Sequence, residues 1–276
     1  MALFRSLRAQ LSISHALVHN STERKKLQMA HAIETMSDDD IIAHCWDPNA
    51  TMLSTAGVTN KVVHIEPDLV VKFGPGVTDT EFGNLQCASH LLDPAIIQVP
   101  AAYRFIDDGY IRYIVMGYVR GAHLSKKDIH LLGPVIDHLH GIRGFTPGPI
   151  AGGCLSGPMW PARIVAFDTT DDLADWLSSC LPKKDDKVDL SSQVLVLCHM
   201  DLTPRNIIVG NTLAIVDWAH AAWLPPMFEH IAYQFSPHDL GFYQQLRNYI
   251  RSLTAAEVEL AAKIYRALSN SQRLYL

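Results

Sequence analysis

Long apolar runs are missing from this chain of 276 residues. No stretch reaches the roughly 18 consecutive apolar residues that a membrane-spanning helix needs, so no membrane partner is expected. Paired cysteines are missing too. The five cysteines, Cys45, Cys87, Cys154, Cys180 and Cys198, are odd in number, widely spaced and without a CxxC. That argues against a disulfide framework and against a cysteine-based zinc site, and it fits a reducing compartment. A basic stripe is absent: the net charge is −5, and the run Lys183-Lys184-Asp185-Asp186-Lys187 is of mixed sign and reads as a solvated loop. Nucleic acid is therefore not an expected partner. There is no HExxH, no internal repeat and no low-complexity tract. Acids are absent from the first 22 residues, which hold Arg5, Arg8 and several serines, with Leu3, Leu7 and Leu11 at helical spacing. A mitochondrial presequence shares this character. A helix packed on the domain that follows is the preferred reading, and with no apolar core of a secretory signal a cytoplasmic location is expected.

Apolar residues make up 48% of the chain and charged residues 18%, enough to build a sizeable core in one large domain or two lobes. Residues 1–45 read as helical. Ser37 and Asp40 form a capping box, followed by an apolar face of Ile41, Ile42 and Trp46. Strand patterns begin near Thr51. Lys61 to Ile65 and Leu69 to Phe73 flank the turn Glu66-Pro67-Asp68 and predict a hairpin. A helix is predicted from Thr80 to about Leu92, with Asp79 as N-cap and Phe82, Leu85, Ala88 and Leu92 on one face. Strands at about 101–106 and 110–116 follow. Beyond Gly121 the pattern is helical: about 131–139 with Pro134 starting or kinking the helix, 171–181, 227–233, 238–252, and a last helix after Thr254, capped by Glu257, with Val258, Leu260, Ala261, Ile264 and Leu268 apolar.

One segment interrupts that helical half. Val194 to Trp218 reads VLVLCHMDLTPRNIIVGNTLAIVDW: three short apolar runs joined by polar turns, with His199, Asp201, Asn206 and Asp217 at the run ends. A carboxylate can orient a hydroxyl. A carboxamide oxygen and a second carboxylate can hold Mg²⁺ against a triphosphate.

His199-x-Asp201-x-x-x-x-Asn206, a short hairpin, then Ile215-Val216-Asp217-Trp218 resembles the catalytic segment of the aminoglycoside phosphotransferase / choline kinase family. That resemblance implies an α+β, bilobal protein-kinase-like fold: a small antiparallel-sheet N-lobe and a mainly helical C-lobe. The divisions expected are an N-terminal helical extension over 1–45, the nucleotide-binding lobe over 46–117, and the helical lobe with the catalytic loop over 118–276. It implies ATP and a small-molecule hydroxyl compound as substrates and Mg²⁺ as cofactor. Asp201 would be the catalytic base, with Asn206 and Asp217 as metal ligands. Lys72, mid-strand in an apolar run, would reach the α- and β-phosphates, held by Glu81 on the next helix. The loop from Ser54 through Gly57 to Asn60 could cover phosphates with its N–H groups, although it has one glycine where protein kinases have three. Tyr113 to Gly121 is similar to the family's hinge, where backbone groups around Met116 and Tyr118 would meet adenine. Gly117 and Ala219 stand where the family commonly has Glu. His199 is expected to fix the loop through a ring N–H bonded to backbone, Arg205 to face solvent, and Glu229 to be structural. Trp160, Trp176, Trp223, Tyr233 and Phe235 are candidates for acceptor-pocket walls.

Two other readings compete. A kinase-like protein could bind nucleotide or another ligand without phosphotransfer. A metallohydrolase could use His199, Asp201, Asp217, His220 and His230, although the Lys72 and Asn206 pieces would then be coincidental.

Overall fold

The computed structural model describes residues 33, 35–55, 57–161, 166–182, 187–236 and 240–274. The acid-free N-terminal segment, most of the mixed-charge run at 183–187, and the expected helix start at His238 lie outside the described residues.

Helix α1 (Asp38–Cys45) is capped as the sequence indicates: Ser37 Oγ accepts from the Asp40 N–H, and Asp40 reaches back to Ser37. Its buried face is Ile41 and Cys45. Trp46 is half-exposed rather than part of that face, and its indole N–H donates to the Tyr113 hydroxyl at 3.2 Å. Strands β1 (Lys61–Glu66), β2 (Leu69–Gly74), β3 (Ala102–Asp107) and β4 (Arg112–Gly117) form one antiparallel sheet in the order β1-β2-β4-β3. β2 is central and buried along its whole length, so Lys72 lies inside the protein instead of on a solvated face. Ile41, Cys45, Val63, Val71, Phe73 and Tyr113 pack α1 onto one face of the sheet. Each large apolar side chain buried there contributes about 1.5–3 kcal/mol.

Helix α2 (Asp79–Leu91) packs on β3. Its N-cap is Thr78, one residue before the expected Asp79. Thr78 has extended backbone and its hydroxyl accepts from the Glu81 N–H at 3.0 Å, which moves Asp79 into the favourable first turn. The cap thus fixes the backbone of Glu81 itself.

The rest of the described chain is mainly helical: α3 (Leu132–Gly141), α4 (Thr170–Ser179), α5 (Met227–Ala232), α6 (Leu240–Leu246) and α7 (Ala255–Leu274). Pro134 sits in the first turn of α3, where its missing N–H costs no intrahelical bond. α6 is shorter than the 238–252 expected. Thr254 and Glu257 cap α7 reciprocally. Val258 is exposed, and the buried stripe of α7 is Ala261, Ile264, Leu268 and Ser271.

Six short strands lie among these helices, more than the sequence suggested. β5 (Ala122–His123), β8 (Ile207–Val209) and β9 (Leu213–Ile215) form one sheet; β6 (Gly148–Pro149), β10 (Ala222–Leu224) and β7 (Val196–Cys198) form another. β10 was hidden in the sequence because Ala-Trp-Leu is too short to show a period. The segment Val194–Trp218 is threaded through both sheets, which places its polar residues at the junction with the four-stranded sheet.

Candidate active site

Lys72 comes from the middle of β2. Its Nζ lies 2.5 Å from Glu81 Oε1 and 2.9 Å from Asp217 Oδ1. One cation therefore joins three elements: the sheet, α2 and the end of the β8–β9 hairpin. Burial works against the Lys72 ammonium, but Asp217 and Glu81 outweigh it and its pKa is raised. For Asp217, burial alone would favour the neutral acid; the Lys72 charge prevails and the pKa lies below the ordinary value. Burial pushes Glu81 up, with Lys72 pulling it back.

Asp201 stands opposite. Its Oδ2 accepts from Asn206 Nδ2 at 2.7 Å, and the same amide donates to the Asp201 carbonyl at 3.0 Å. With that nitrogen committed to Asp201, the Asn206 carboxamide oxygen is the atom left for a cation. Arg205, expected to face solvent, instead pairs with Asp201 through Nη2 at 3.0 and 3.3 Å, with half of its own side chain still exposed. Burial raises the Asp201 pKa to about 6, with Arg205 opposing it, so the carboxylate is ionised at neutral pH.

The backbone around these groups is held in unusual conformations. Met200 (φ 70°) and Asp217 (φ 64°) are the non-glycine residues with left-handed backbone among those described. Such geometry costs about 1–3 kcal/mol each and persists only where the surroundings enforce it. Glu229, buried on α5, supplies one enforcement: its carboxylate accepts from the His199 N–H at 2.8 Å and the Met200 N–H at 3.1 Å. Tyr233 donates its hydroxyl proton to the Leu202 carbonyl at 2.8 Å. His199 is fully buried against Trp218, with ring centroids 4.8 Å apart. Its ring is tied to backbone: Nδ1 takes the Asp201 N–H at 3.3 Å, and the ring also bonds the Val216 backbone. Burial lowers its pKa to about 4, so the ring is neutral and free to accept there.

A residue that sequence reasoning missed ties the two halves together. Asn84, on α2 one turn after Glu81, is completely buried. Its Nδ2 donates to the carbonyls of Trp218 (3.0 Å) and Ala221 (3.1 Å), and its Oδ1 accepts from the Ala151 N–H (3.0 Å). An Asn three residues after the Glu, on the apolar side of α2, was the only available signal.

Of the remaining predicted residues, Ser54 and Gly57 lie in the loop before β1, and Met116 and Tyr118 at the end of β4. Ser54 Oγ accepts from the Val62 N–H at 3.1 Å and so closes the loop before β1. Gly57 has φ +87°, a conformation that favours glycine. Met116 pairs with Val70 across β2–β4. In the hinge, the Gly117 N–H donates to Ala101 O and the Tyr118 N–H to Asp68 O, so both are engaged within the protein. A side chain at Gly117 would meet Ala101 and Tyr103 at ordinary contact distance, so packing does not dictate this glycine.

A cavity of about 320 Å³ opens beside Asp201 and Asp217, with Trp160 and Phe235 in its wall. Of the other aromatic candidates, Trp176 packs behind Trp160, Tyr233 is buried with its hydroxyl on the Leu202 carbonyl, and Trp223 covers Gly144. Of the metallohydrolase candidates, Asp201, Asp217 and His220 line one cavity, but among the described residues the five supply no group of three close enough for one metal, and the His230 ring bonds the Tyr243 hydroxyl. Among the described residues, the group of three potential ligands close enough for one metal is His140, Cys198 and Glu229. There the Glu229 oxygens are already committed to backbone N–H groups and burial pushes the Cys198 thiol well up.

A Lys–Glu pair from a sheet lobe facing an Asp–Asn–Asp set from a helical lobe defines a protein-kinase-like fold. The chain belongs to the phosphotransferase enzyme family, whose model matches residues 53–246. Among solved structures, it is similar to a thermostable mutant of aminoglycoside phosphotransferase APH(4)-Ia in a ternary complex with ADP and hygromycin B. That match has 16% identity over 87% of this chain and 89% of the other, with a TM-score of 0.55. A putative fructosamine-3-kinase from Haemophilus somnus 129PT is 16% identical over 82% of this chain and 89% of the other, with a TM-score of 0.52. No curated protein sequence matches the chain.

Proposed function

We propose that the protein transfers the γ-phosphoryl group of ATP to a hydroxyl of a small molecule. The observation that carries this reading is the convergence of Lys72, Glu81 and Asp217 within 2.9 Å contacts beside a cavity onto which the Asp201 carboxylate opens.

Lys72 is poised to exchange its contact with Asp217 for phosphate oxygens of the nucleotide, while Glu81 keeps the ammonium in place. The Asn206 carboxamide oxygen and the Asp217 carboxylate are hard oxygen donors of the kind Mg²⁺ prefers, so the residues fit that cation and would hold it. The chemistry it would supply there is neutralisation of charge on phosphate oxygens. Asp201 orients the acceptor hydroxyl and takes its proton. Asn206 Nδ2 fixes the carboxylate for that task, and Arg205 balances its charge. Positioning and charge compensation are the main demands of phosphoryl transfer, and these residues meet them.

The test is ADP release from MgATP across a panel of hydroxyl compounds, with product mass as the second readout. A phosphorylated product that disappears with Asp201→Ala, while nucleotide binding persists, is expected. Full turnover by that variant would refute the role of Asp201. MgATP binding without phosphorylation of any acceptor would favour the ligand-binding reading.

A further inference from the structure

The cavity beside Asp201 differs sharply on its two sides. Toward the cleft it presents Asp201 and Asp217, both already compensated: Asp201 by Arg205 and Asn206, Asp217 by Lys72. Among the described residues that line it, these are the only carboxylates, and the fixed positive charge is that of Arg205. His220 adds none at neutral pH, since burial lowers its pKa despite Asp217.

The far wall carries Met159, Trp160, Met200 and Phe235 from the helical lobe, with Ser156 and Ser236 as its polar members. Met159 and Trp160 are about 95% buried, at 4% and 5% exposure, and Met200 is 8% exposed. Trp160 stacks on Phe228, with centroids 6.2 Å apart and planes 11° from parallel, and Trp176 tilts against it from behind. Phe235 closes the side. The wall approaches the catalytic segment because Gly157 has φ +115° and no side chain. A Cβ there would lie 2.7 Å from the His220 ring. This surface is pre-formed and presents two aromatic rings, as in sites that hold flat or apolar ligand bodies.

A polyamine acceptor would have to desolvate several ammonium groups here against two carboxylates, among the described lining residues, that are both already compensated, which is unfavourable. We infer that the acceptor is an uncharged hydroxyl compound whose apolar, ring-bearing body lies against Trp160 and Phe235, with its hydroxyl at Asp201. The phosphotransfer reading enters only in assigning the hydroxyl to Asp201. A cavity of about 320 Å³ is at the small end of ligand pockets, and it suits a body of one or two rings.

Binding tests this independently of turnover. Benzylic and naphthyl alcohols, kanamycin, hygromycin B and choline are titrated into Asp201→Asn in the presence of a non-hydrolysable ATP analogue and Mg²⁺. Tryptophan fluorescence and calorimetry report binding. The aryl alcohols are expected to bind at least about 10-fold more tightly than the cationic compounds. Trp160→Ala and, as a variant safer for folding, Phe235→Ala should each weaken the aryl alcohols about 10-fold. Ser236→Asp, which adds a carboxylate to the rim, should strengthen kanamycin. Tighter binding of kanamycin or choline than of the aryl alcohols, or no aryl-alcohol binding at all, overturns the inference. Aryl-alcohol binding with no phosphorylation of any compound on the panel would uphold the assignment of the pocket to an uncharged, ring-bearing ligand and sink the phosphotransfer reading instead.

Discussion

Asn84→Ala should be among the most damaging single changes in this protein, although Asn84 touches no substrate. The side chain is fully buried and makes three hydrogen bonds, to Trp218 O, Ala221 O and Ala151 N. Alanine would leave the Ala151 N–H without a partner and take one of two bonds from each carbonyl, since Trp218 O still accepts from the Ala221 N–H and Ala221 O from the Ile150 N–H. An unsatisfied buried group costs about 1–3 kcal/mol and each of the two other lost bonds about 0.5–1.5 kcal/mol, so a loss of about 2–6 kcal/mol is expected. That is a large share of the roughly 5–15 kcal/mol that holds a typical domain together. The same bonds seat Glu81's helix against the backbone beside Asp217, so nucleotide-dependent activity should fall with stability. Urea unfolding followed by tryptophan fluorescence measures the first effect. Asn84→Asp sharpens the reasoning: a carboxylate still accepts from Ala151 but meets two carbonyls with no donor. That variant should regain stability as pH falls and the acid gains a proton to donate, a direction Asn84→Ala should not share. A loss below about 1 kcal/mol for Asn84→Ala would refute the reasoning, because it would mean the Ala151 N–H finds another bond.

Lys72→Met should lower kcat by about 100- to 1000-fold, the usual effect of removing one group that stabilises transition-state charge; steady-state kinetics check it. Glu229→Gln replaces one acceptor oxygen with a donor facing the His199 and Met200 N–H groups. It should cost about 1–3 kcal/mol in chemical unfolding and slow turnover by loosening the loop that carries Asp201. Arg205→Ala removes the charge that holds the Asp201 pKa down. Because the base must be ionised, the acidic limb of kcat/KM, expected near pH 6 in the wild type, should move to higher pH; an unmoved or lowered limb would contradict the pairing.

The residues of the site that were legible in the sequence share one property: their roles follow from local spacing. His199, Asp201, Asn206 and Asp217 lie within nineteen positions, on strand ends that apolar triplets define. Lys72 could be read because a cation in the apolar run Leu69–Phe73 has few explanations. What stayed hidden depends on the tertiary fold. Asn84 meets Trp218 across 134 positions, and nothing local marks it. Arg205 was assigned to solvent on the ordinary habit of arginine; it lies one turn from Asp201 and is half-exposed, yet paired. The helix cap slipped from Asp79 to Thr78 because both residues can cap, and only backbone geometry decides between them. β5, β6 and β10 are two or three residues long, below the length at which any period shows.

The account rests on the division of labour between Asp201 and the Lys72–Asp217 side of the cleft. Single-turnover transfer from γ-labelled MgATP, measured with an accepted hydroxyl compound for wild type and Asp201→Asn, separates the two. The account predicts unchanged nucleotide affinity in the variant and a chemical step slowed at least about 100-fold, as for loss of a general base. A normal chemical step, or a collapse of nucleotide affinity with the chemistry intact, would contradict it.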